Sequence, residues 1–208
     1  MTTEEKTEVL ICGSGSAGLC AAVWLSRFGI EYKMLERRDG PMEVGQADGV
    51  QTRTVEIFDS FGIAEELLRE SYHVLEVAFW SNKTEADNTA VEGEEDKGIK
   101  RIKYVADKET EISHQPHVIL NQARLNKLMI GELKDRKTGQ LEAGKRIEYG
   151  VEVKKLTVED GVDQLAQDQY PVTVEAVTKD GVEKRYRAKY VLVSFAPDLC
   201  LRPIRPPY

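Results

Sequence analysis

Three glycines and one carboxylate near the N-terminus have the types and spacing of a dinucleotide-binding site. Gly13, Gly15 and Gly18 form a G-x-G-x-x-G pattern, and Glu36 follows 18 residues after the last glycine. In such a pattern the first glycine permits a tight turn, the second lets a pyrophosphate approach the backbone, and the third lets a helix lie close to a strand. A carboxylate about 20 residues further on accepts hydrogen bonds from a ribose. These residues therefore predict a site for a pyrophosphate and its adjoining ribose.

The elements that must position these residues are a strand, a helix and a second strand. An apolar run predicts a strand over 9–12, helical periodicity predicts a helix over 16–28 that ends at Gly29, and a second apolar run predicts a strand over 32–35. The helix N-terminus offers free N–H groups and a partial positive charge to phosphates. The alternative is an ordinary turn between strand and helix that binds nothing, but the strand, helix and acid context favours a nucleotide.

The residues at the end of the second strand bear on which nucleotide binds. Glu36 favours a ribose with a free 2′-hydroxyl, as in FAD or NAD, over the 2′-phosphate of NADP. Arg37 and Arg38 follow directly and weaken the argument against NADP, because an arginine can accommodate a 2′-phosphate.

The composition of the 208-residue chain is that of an ordinary globular protein, with 41% hydrophobic and 31% charged residues. Its net charge of −7 argues against nucleic acid or an anionic membrane as a partner. Cys12, Cys20 and Cys200 show neither a disulfide framework nor metal-ligand spacing, and His114 and His117 lack a third ligand, so no metal is predicted. The polar N-terminus has no signal-peptide pattern, and we expect a cytoplasmic protein.

The rest of the chain alternates between helical and strand patterns, which predicts an α/β fold. Helices are expected at Val55 to Phe61, at 64–70, and after Asn121 up to Thr138. Strands are expected within 74–120 and then over 147–153, 155–158, 172–177 and 184–190, with a hairpin turn at Asp180-Gly181. We therefore expect a Rossmann-like parallel sheet with an inserted β layer at about 74–120. Insertions of this kind favour a flavoprotein over a simple dehydrogenase.

The segment from Gly45 to Ile57, GQADGVQTRTVEI, carries a resemblance to a known family. It resembles the phenol hydroxylase (phenol 2-monooxygenase) branch of the FAD-dependent aromatic monooxygenases, which share the p-hydroxybenzoate hydroxylase fold. The glycine turn, Glu36-Arg37, the segment from His114 to Leu125 and the strand beginning at Ala188 also match. The resemblance covers residues 5–193 and implies an FAD-binding domain over that range.

The resemblance implies a role for each matching position. The glycine turn would hold the FAD pyrophosphate, Glu36 the adenosine ribose, and Arg37 the adenine side. Residues 46–51 would run beside the flavin ring with Arg53 near it, and Gln122 would contact the flavin tail. The implied cofactor-binding residues are Gly13, Ser14, Gly15, Ser16, Ala17, Gly18, Glu36, Arg37, Gln46, Ala47, Asp48, Gly49, Gln51, Arg53 and Gln122.

Asp48 is the one catalytic residue that the resemblance implies. It matches the family's acid near the substrate hydroxyl, where it would accept the phenolic proton and make the ring a better nucleophile. The implied reaction uses NADPH as reductant and O₂ to hydroxylate a small, phenol-like aromatic substrate. Alternatives stay open at this point: Asp48-Gly49 could be turn chemistry, Arg53 a helix-surface residue, and Gln122 part of a helix cap.

The C-terminus departs from the family's pattern. The family continues well beyond this length, and its Gly-x-Asp-Gly and Gly-Asp segments have no counterpart after Val193. We therefore expect a C-terminally truncated FAD-binding domain, with the proline-rich residues 194–208 as a disordered tail outside it. A truncated domain would expose apolar surface, so a homo-oligomer or a complementing chain stays open as a partner.

Two other functions remain to be separated from a flavin monooxygenase. One is a non-catalytic nucleotide-binding remnant or interaction module, because the truncated chain lacks part of the expected FAD site. The other is an NAD-dependent dehydrogenase, which would leave the residues from Gln46 to Arg53 unexplained. A flavin absorbance spectrum of the purified protein separates the flavin monooxygenase from both of these.

Overall fold

The computed structural model describes residues 3–81, 99–106, 113–135, 137–159 and 169–194. The acidic stretch at 92–96, Cys200 and tail residues 195–208 lie outside the described residues. The elements in chain order are β1 (Thr3–Cys12), α1 (Ser16–Phe28), β2 (Tyr32–Glu36), β3 (Gly49–Val50), α2 (Thr52–Ser60), α3 (Ala64–Glu70), β4 (Tyr72–Val74), β5 (Glu76–Ser81), β6 (Lys100–Ala106), β7 (His117–Ile119), α4 (Gln122–Gly131), α5 (Ala143–Arg146), β8 (Ile147–Tyr149), β9 (Val151–Val158), β10 (Val172–Thr178) and β11 (Glu183–Val193).

The chain divides into two compact units. The first unit contains residues up to 46 and from 122 onward, and the second contains residues 47–121. The first unit therefore holds β1, α1, β2, α4, α5 and β8 to β11, while the second holds the elements from β3 to β7.

The first unit is built on a six-stranded sheet in the order β8-β2-β1-β11-β10-β9. Strands β8, β2, β1 and β11 are mutually parallel, whereas β10 and β9 continue the sheet as an antiparallel meander. The predicted α/β fold with a parallel sheet is confirmed. The predicted hairpin is also present, since Gly181 has a φ of +80° and its N–H donates to Thr178 O at 2.9 Å.

The largest differences from the expected strand boundaries are at β1 and between β8 and β9. β1 begins at Thr3 rather than at Val9, because its polar first half pairs with β11 along nearly its whole length. The single strand expected over 147–153 is wrong: Gly150, with a φ of +73°, separates β8 from β9. β8 then joins β2 in parallel, whereas β9 joins β10 in the antiparallel meander.

The helices of the first unit follow their local signals more closely. α1 has the predicted bounds, and it buries Leu19, Ala22 and Val23. It ends where Gly29 takes a φ of +70° and its N–H bonds to the last turn, as predicted from a glycine C-cap. The helix expected to run on to Thr138 is wrong: α4 ends at Gly131, and the chain then turns back through a bridge between Lys134 and Leu141.

The core of the first unit lies on the sheet. Its buried side chains come from the parallel strands β1, β2 and β11 and from the antiparallel strands β9 and β10, so the two parts of the sheet share one apolar layer. The cluster consists of Leu10, Leu35, Val151, Val172, Val174, Ala176, Tyr186 and Ala188.

The second unit consists of two helices and two small sheets. α3 has the predicted bounds, and Gly62, with a φ of +71°, separates it from α2. One sheet has the order β3-β7-β4, and the other is the ribbon β5-β6. The ribbon leaves large apolar side chains in solvent, among them Trp80 at 62% and Tyr104 at 51% exposure. No helix among the residues the structure describes has the length and apolar character needed to cross a membrane.

We predict that Gly18→Ala destabilises the first unit. An added Cβ at Gly18 would lie 2.2 Å from the Gly13 carbonyl oxygen, which real Cβ contacts do not allow, so α1 would have to move away from the end of β1. The expected loss is about 1–3 kcal/mol of unfolding free energy, measured by urea denaturation. Gly131→Ala is the matched control because nothing lies within 4 Å of its added Cβ. Equal stability of the two variants would contradict the prediction.

Candidate functional site

A cavity of about 710 Å³ opens in the first unit where β1 and β2 end and α1 begins. The carboxyl ends of parallel strands are where α/β sheets bind their ligands, and the volume lies within the usual range for small-molecule sites. Eight of the fifteen residues implied by the resemblance line it. They are Gly13, Gly15, Ser16, Ala17, Glu36, Arg37, Gln46 and Gln122.

The glycine turn presents bare backbone to this cavity. Gly13 has a φ of +102°, which favours glycine, and its N–H donates to Leu35 O at 2.8 Å. Gly15 has an ordinary extended backbone, and no protein atom lies within 4 Å of an added Cβ. Nothing within the protein therefore requires glycine at position 15, whereas a ligand lying against the backbone would require it.

The N-terminus of α1 is prepared to bind an anion. The first helical hydrogen bond runs from Leu19 N–H to Gly15 O at 2.9 Å, so the amides of residues 16–18 have no partner within the helix. No side chain caps the helix, and its first turn contains no acidic residue. These amides and the helix dipole fit a pyrophosphate, which is what the sequence predicts.

Glu36 is buried at the end of β2 and is held by five donors. Its Oε2 accepts the Ser14 N–H at 2.7 Å, the Ser14 hydroxyl at 2.9 Å and Arg38 Nη2 at 3.0 Å. Its Oε1 accepts the Arg38 N–H and Nε, each at 3.0 Å. Burial by itself would raise the pKa of Glu36, but the bonds from Arg38 and Ser14 outweigh it and lower that pKa to about 2. The carboxylate is therefore ionised at neutral pH and can act as a hydrogen-bond acceptor.

The sequence named Arg38 only as a possible partner of a 2′-phosphate and did not predict its contact with Glu36. Arg38 makes three of the bonds to Glu36, and it lines the cavity beside the exposed Arg37. Its position two residues after a predicted ribose-binding acid is a signal that could have identified it. Ser14 and Gly18 have supporting roles: Ser14 binds Glu36, and Gly18 brings α1 close to β1.

Gln122 lies at the start of α4 and lines the cavity. Its Oε1 accepts the Gln46 N–H at 3.0 Å, and its Nε2 donates to the Ser16 hydroxyl at 3.2 Å. Gly45 is required at its position because an added Cβ would lie 2.5 Å from the Gln122 Cβ. Gln122 thus connects the loop at 45–46 to the N-terminus of α1.

Three further residues, two that line the cavity and one beside it, were assigned no ligand-binding role from the sequence. Asn126, buried on α4, accepts the Ser16 hydroxyl at 2.8 Å. Ser194, placed in the tail by the sequence, continues β11: its N–H donates to Cys12 O at 3.0 Å, and its hydroxyl lies 2.9 Å from Gly13 O. Burial raises the pKa of the Cys12 thiol to about 12, so this wall residue is a neutral thiol.

The remaining predicted site residues belong to the second unit. Asp48 is exposed, and its carbonyl accepts the Leu120 N–H at 2.8 Å. Ala47 precedes it, Gly49 begins β3, and Gln51 precedes α2. Arg53 lies on the surface of α2 with its Nη1 2.8 Å from Glu56 Oε2. Their roles beside a flavin stay predictions.

We predict that Arg38→Met removes a pH-dependent part of the stability. The folded pKa of Glu36, about 2, lies below its ordinary value of 4.5, so its stabilisation is present above pH 4.5 and is lost as the pH falls towards 2. At pH 7 the variant should lose about 1.5–3 kcal/mol, and its deficit should shrink between pH 4.5 and pH 2. Urea denaturation across this range measures it, with Arg37→Met as the control. A deficit that does not depend on pH would contradict the assignment.

Comparison with known proteins adds three matches. Residues 6–193 match the family described as the FAD binding domain. The FAD-dependent monooxygenase terD of Aspergillus terreus (strain NIH 2624 / FGSC A1156) is 47% identical over 189 residues, which are 91% of this chain and 28% of that protein. The 3-hydroxybenzoate 4-monooxygenase of Comamonas testosteroni is 35% identical over 192 residues, which are 90% of this chain and 27% of that protein.

A solved structure shows the same fold. The flavin-dependent monooxygenase PieE, in a crystal structure with FAD and substrate, superposes with a TM-score of 0.64 over 89% of this chain and 29% of that chain, at 23% identity. This chain spans less than a third of the length of the curated relatives described above. The family match covers both units and the whole glycine turn, and the chain therefore belongs to the FAD binding domain family of the FAD-dependent monooxygenases.

Proposed function

We propose that this chain supplies the FAD-binding part of a monooxygenase that hydroxylates a phenol-like aromatic compound with NADPH and O₂. The observation that carries the proposal is the uncapped N-terminus of α1 beside Gly15, in a cavity that Glu36, ionised at neutral pH, also lines. An anion site and a ribose acceptor in one cavity fit the two ends of an adenosine diphosphate group.

The residues of the first unit divide the binding of FAD between them. The amides of residues 16–18 would hold the pyrophosphate, and Glu36 would accept from the adenosine ribose. Arg38 keeps the carboxylate of Glu36 ionised and oriented for that contact. When bound, FAD supplies the redox and oxygen-activating chemistry, for which no protein side chain is a substitute.

The aromatic substrate rests on the relatives and on Asp48. The Comamonas testosteroni relative is named for a hydroxylated benzoate, and a phenol 2-monooxygenase of Aspergillus fumigatus (strain ATCC MYA-4609 / CBS 101355 / FGSC A1100 / Af293) is 24% identical over 90% of this chain and 27% of that protein. Asp48 would take the proton from the phenolic oxygen onto its carboxylate and leave a phenolate, which is the more reactive ring.

The two buried or half-buried cysteines, Cys12 and Cys20, are free thiols, in keeping with the cytoplasm as the compartment of this protein.

Gly15→Ala separates FAD binding from folding. The methyl group enters open space, so the unfolding free energy should stay within about 0.5 kcal/mol of wild type. The same methyl group would obstruct a pyrophosphate lying on the backbone, so the dissociation constant for FAD should rise at least about tenfold. Flavin fluorescence quenching on titration measures the affinity, and Gly131→Ala serves as the control. Wild-type affinity in Gly15→Ala would overturn the placement of the pyrophosphate.

Asp48→Asn tests the chemistry. In the FAD-loaded chain, phenol-stimulated oxidation of NADPH should fall about 10²- to 10⁴-fold, the usual contribution of a general base. The comparison uses fully FAD-loaded protein, because Asp48 is also one of the implied cofactor-binding residues. A flavin-loaded chain whose NADPH oxidation no phenol stimulates would instead support a non-catalytic nucleotide-binding module. Binding of NADH without any flavin would support a dehydrogenase.

A further inference from the structure

A continuous series of hydrogen bonds runs along the cavity wall. It begins and ends in the loop at 42–46 and passes through side chains of α4 and the start of α1. The Gln46 N–H donates to Gln122 Oε1 at 3.0 Å, and Gln122 Nε2 donates to the Ser16 hydroxyl at 3.2 Å. The Ser16 hydroxyl donates to Asn126 Oδ1 at 2.8 Å, and Asn126 Nδ2 lies 3.7 Å from Met42 Sδ, within range of a weak N–H···S bond. All four bonds point the same way, since each residue donates to the next. The series begins at Gln46 and ends at Met42, four residues earlier in the same loop.

Asn126 has a position in this series that few side chains could fill. It is 1% exposed, and it must accept at one end and donate at the other, which an amide side chain does. It lies one helical turn after Gln122 on the same face of α4, so one helix holds both amides in register. A hydrocarbon side chain at position 126 would leave the Ser16 hydroxyl without the acceptor that Asn126 Oδ1 provides.

The series acts on the walls of the cavity rather than on its contents. Ser16, Met42, Gln46 and Gln122 line the cavity, whereas Asn126 does not. Through Ser16 it fixes which way the hydroxyl at the start of α1 points. The loop at 42–46 is held at both ends, by the Gln122 bond to the Gln46 N–H and by the Asn126 bond to Met42.

We propose that Asn126 is a positioning residue of the cofactor site, which holds the loop at 42–46 and the Ser16 hydroxyl in the arrangement that receives FAD. This inference rests on the proposed assignment of the cavity to FAD. Asn126 bonds directly to Ser16 and Met42, is linked to Gln122 through Ser16, and does not line the cavity.

The first experiment needs no FAD. Amide hydrogen exchange of the purified chain is followed for Gln46 and for Val23, a buried α1 residue outside the series, in wild type and in Asn126→Leu. In the variant the exchange rate of the Gln46 amide, normalised to that of Val23, should rise about tenfold. Without the series the loop opens locally more often, and the amide exchanges from that open state. Ser16→Ala breaks the same series from the other side and gives the same readout if Asn126→Leu does not fold.

The second experiment measures the dissociation constant for FAD by flavin fluorescence. Asn126→Leu should raise it about tenfold, the factor that one lost hydrogen bond of about 1.4 kcal/mol produces. Because Asn126 and Ser16 belong to one series, the loss of FAD affinity in the double variant with Ser16→Ala should be smaller than the two single losses combined. Leu128→Ala, a buried truncation on the same helix outside the series, controls for general loss of stability.

The outcomes separate the two proposals. Unchanged Gln46 exchange in both Asn126→Leu and Ser16→Ala overturns the positioning role, as do additive losses of FAD affinity or an equal loss in Leu128→Ala. If Gln46 exchanges faster in the variants but the wild-type chain does not bind FAD, the hydrogen-bond series stands and the proposed function is overturned instead.

Discussion

The interaction on which the site depends is the contact between the Glu36 carboxylate and the Ser14 amide. It joins the end of β2 to the glycine turn that follows β1, two points 22 residues apart in sequence. A buried carboxylate is costly unless it is paired and hydrogen-bonded, and here Arg38 and Ser14 together provide five bonds. The turn is thereby held against the neighbouring strand, with Gly15 facing the cavity.

The parts of the fold that sequence predicted well are those with local causes. α1 and α3 match residue for residue, because apolar periodicity and a bounding glycine, Gly29 after α1 and Gly62 before α3, are encoded in the local sequence. The first half of β1 has no such local cause. Its charged residues become a strand only because β11 pairs with them, and that pairing cannot be read from either segment alone.

The site shows the same division. The glycine turn and Glu36 were identified because one motif of fixed spacing contains them. Arg38 and Asn126 were missed because their importance lies in partners: Arg38 binds an acid whose burial depends on the sheet, and Asn126 binds a serine 110 residues earlier. A spacing rule cannot find a contact of that separation, whereas packing of α4 against α1 brings the two side chains together.

The parallel pairing of β1 with β11 has a consequence for how the protein is made. Glu8 on β1 and Lys189 on β11 are 181 residues apart, yet they lie side by side in the same sheet. Ribosomes add about 5–20 residues per second, so β1 waits roughly ten to forty seconds after its own synthesis before this neighbour exists. During that interval one edge of β1 is open to other strands. Synthesis is therefore a period in which this edge of β1 can pair wrongly, and co-translational protection of β1 would limit that risk.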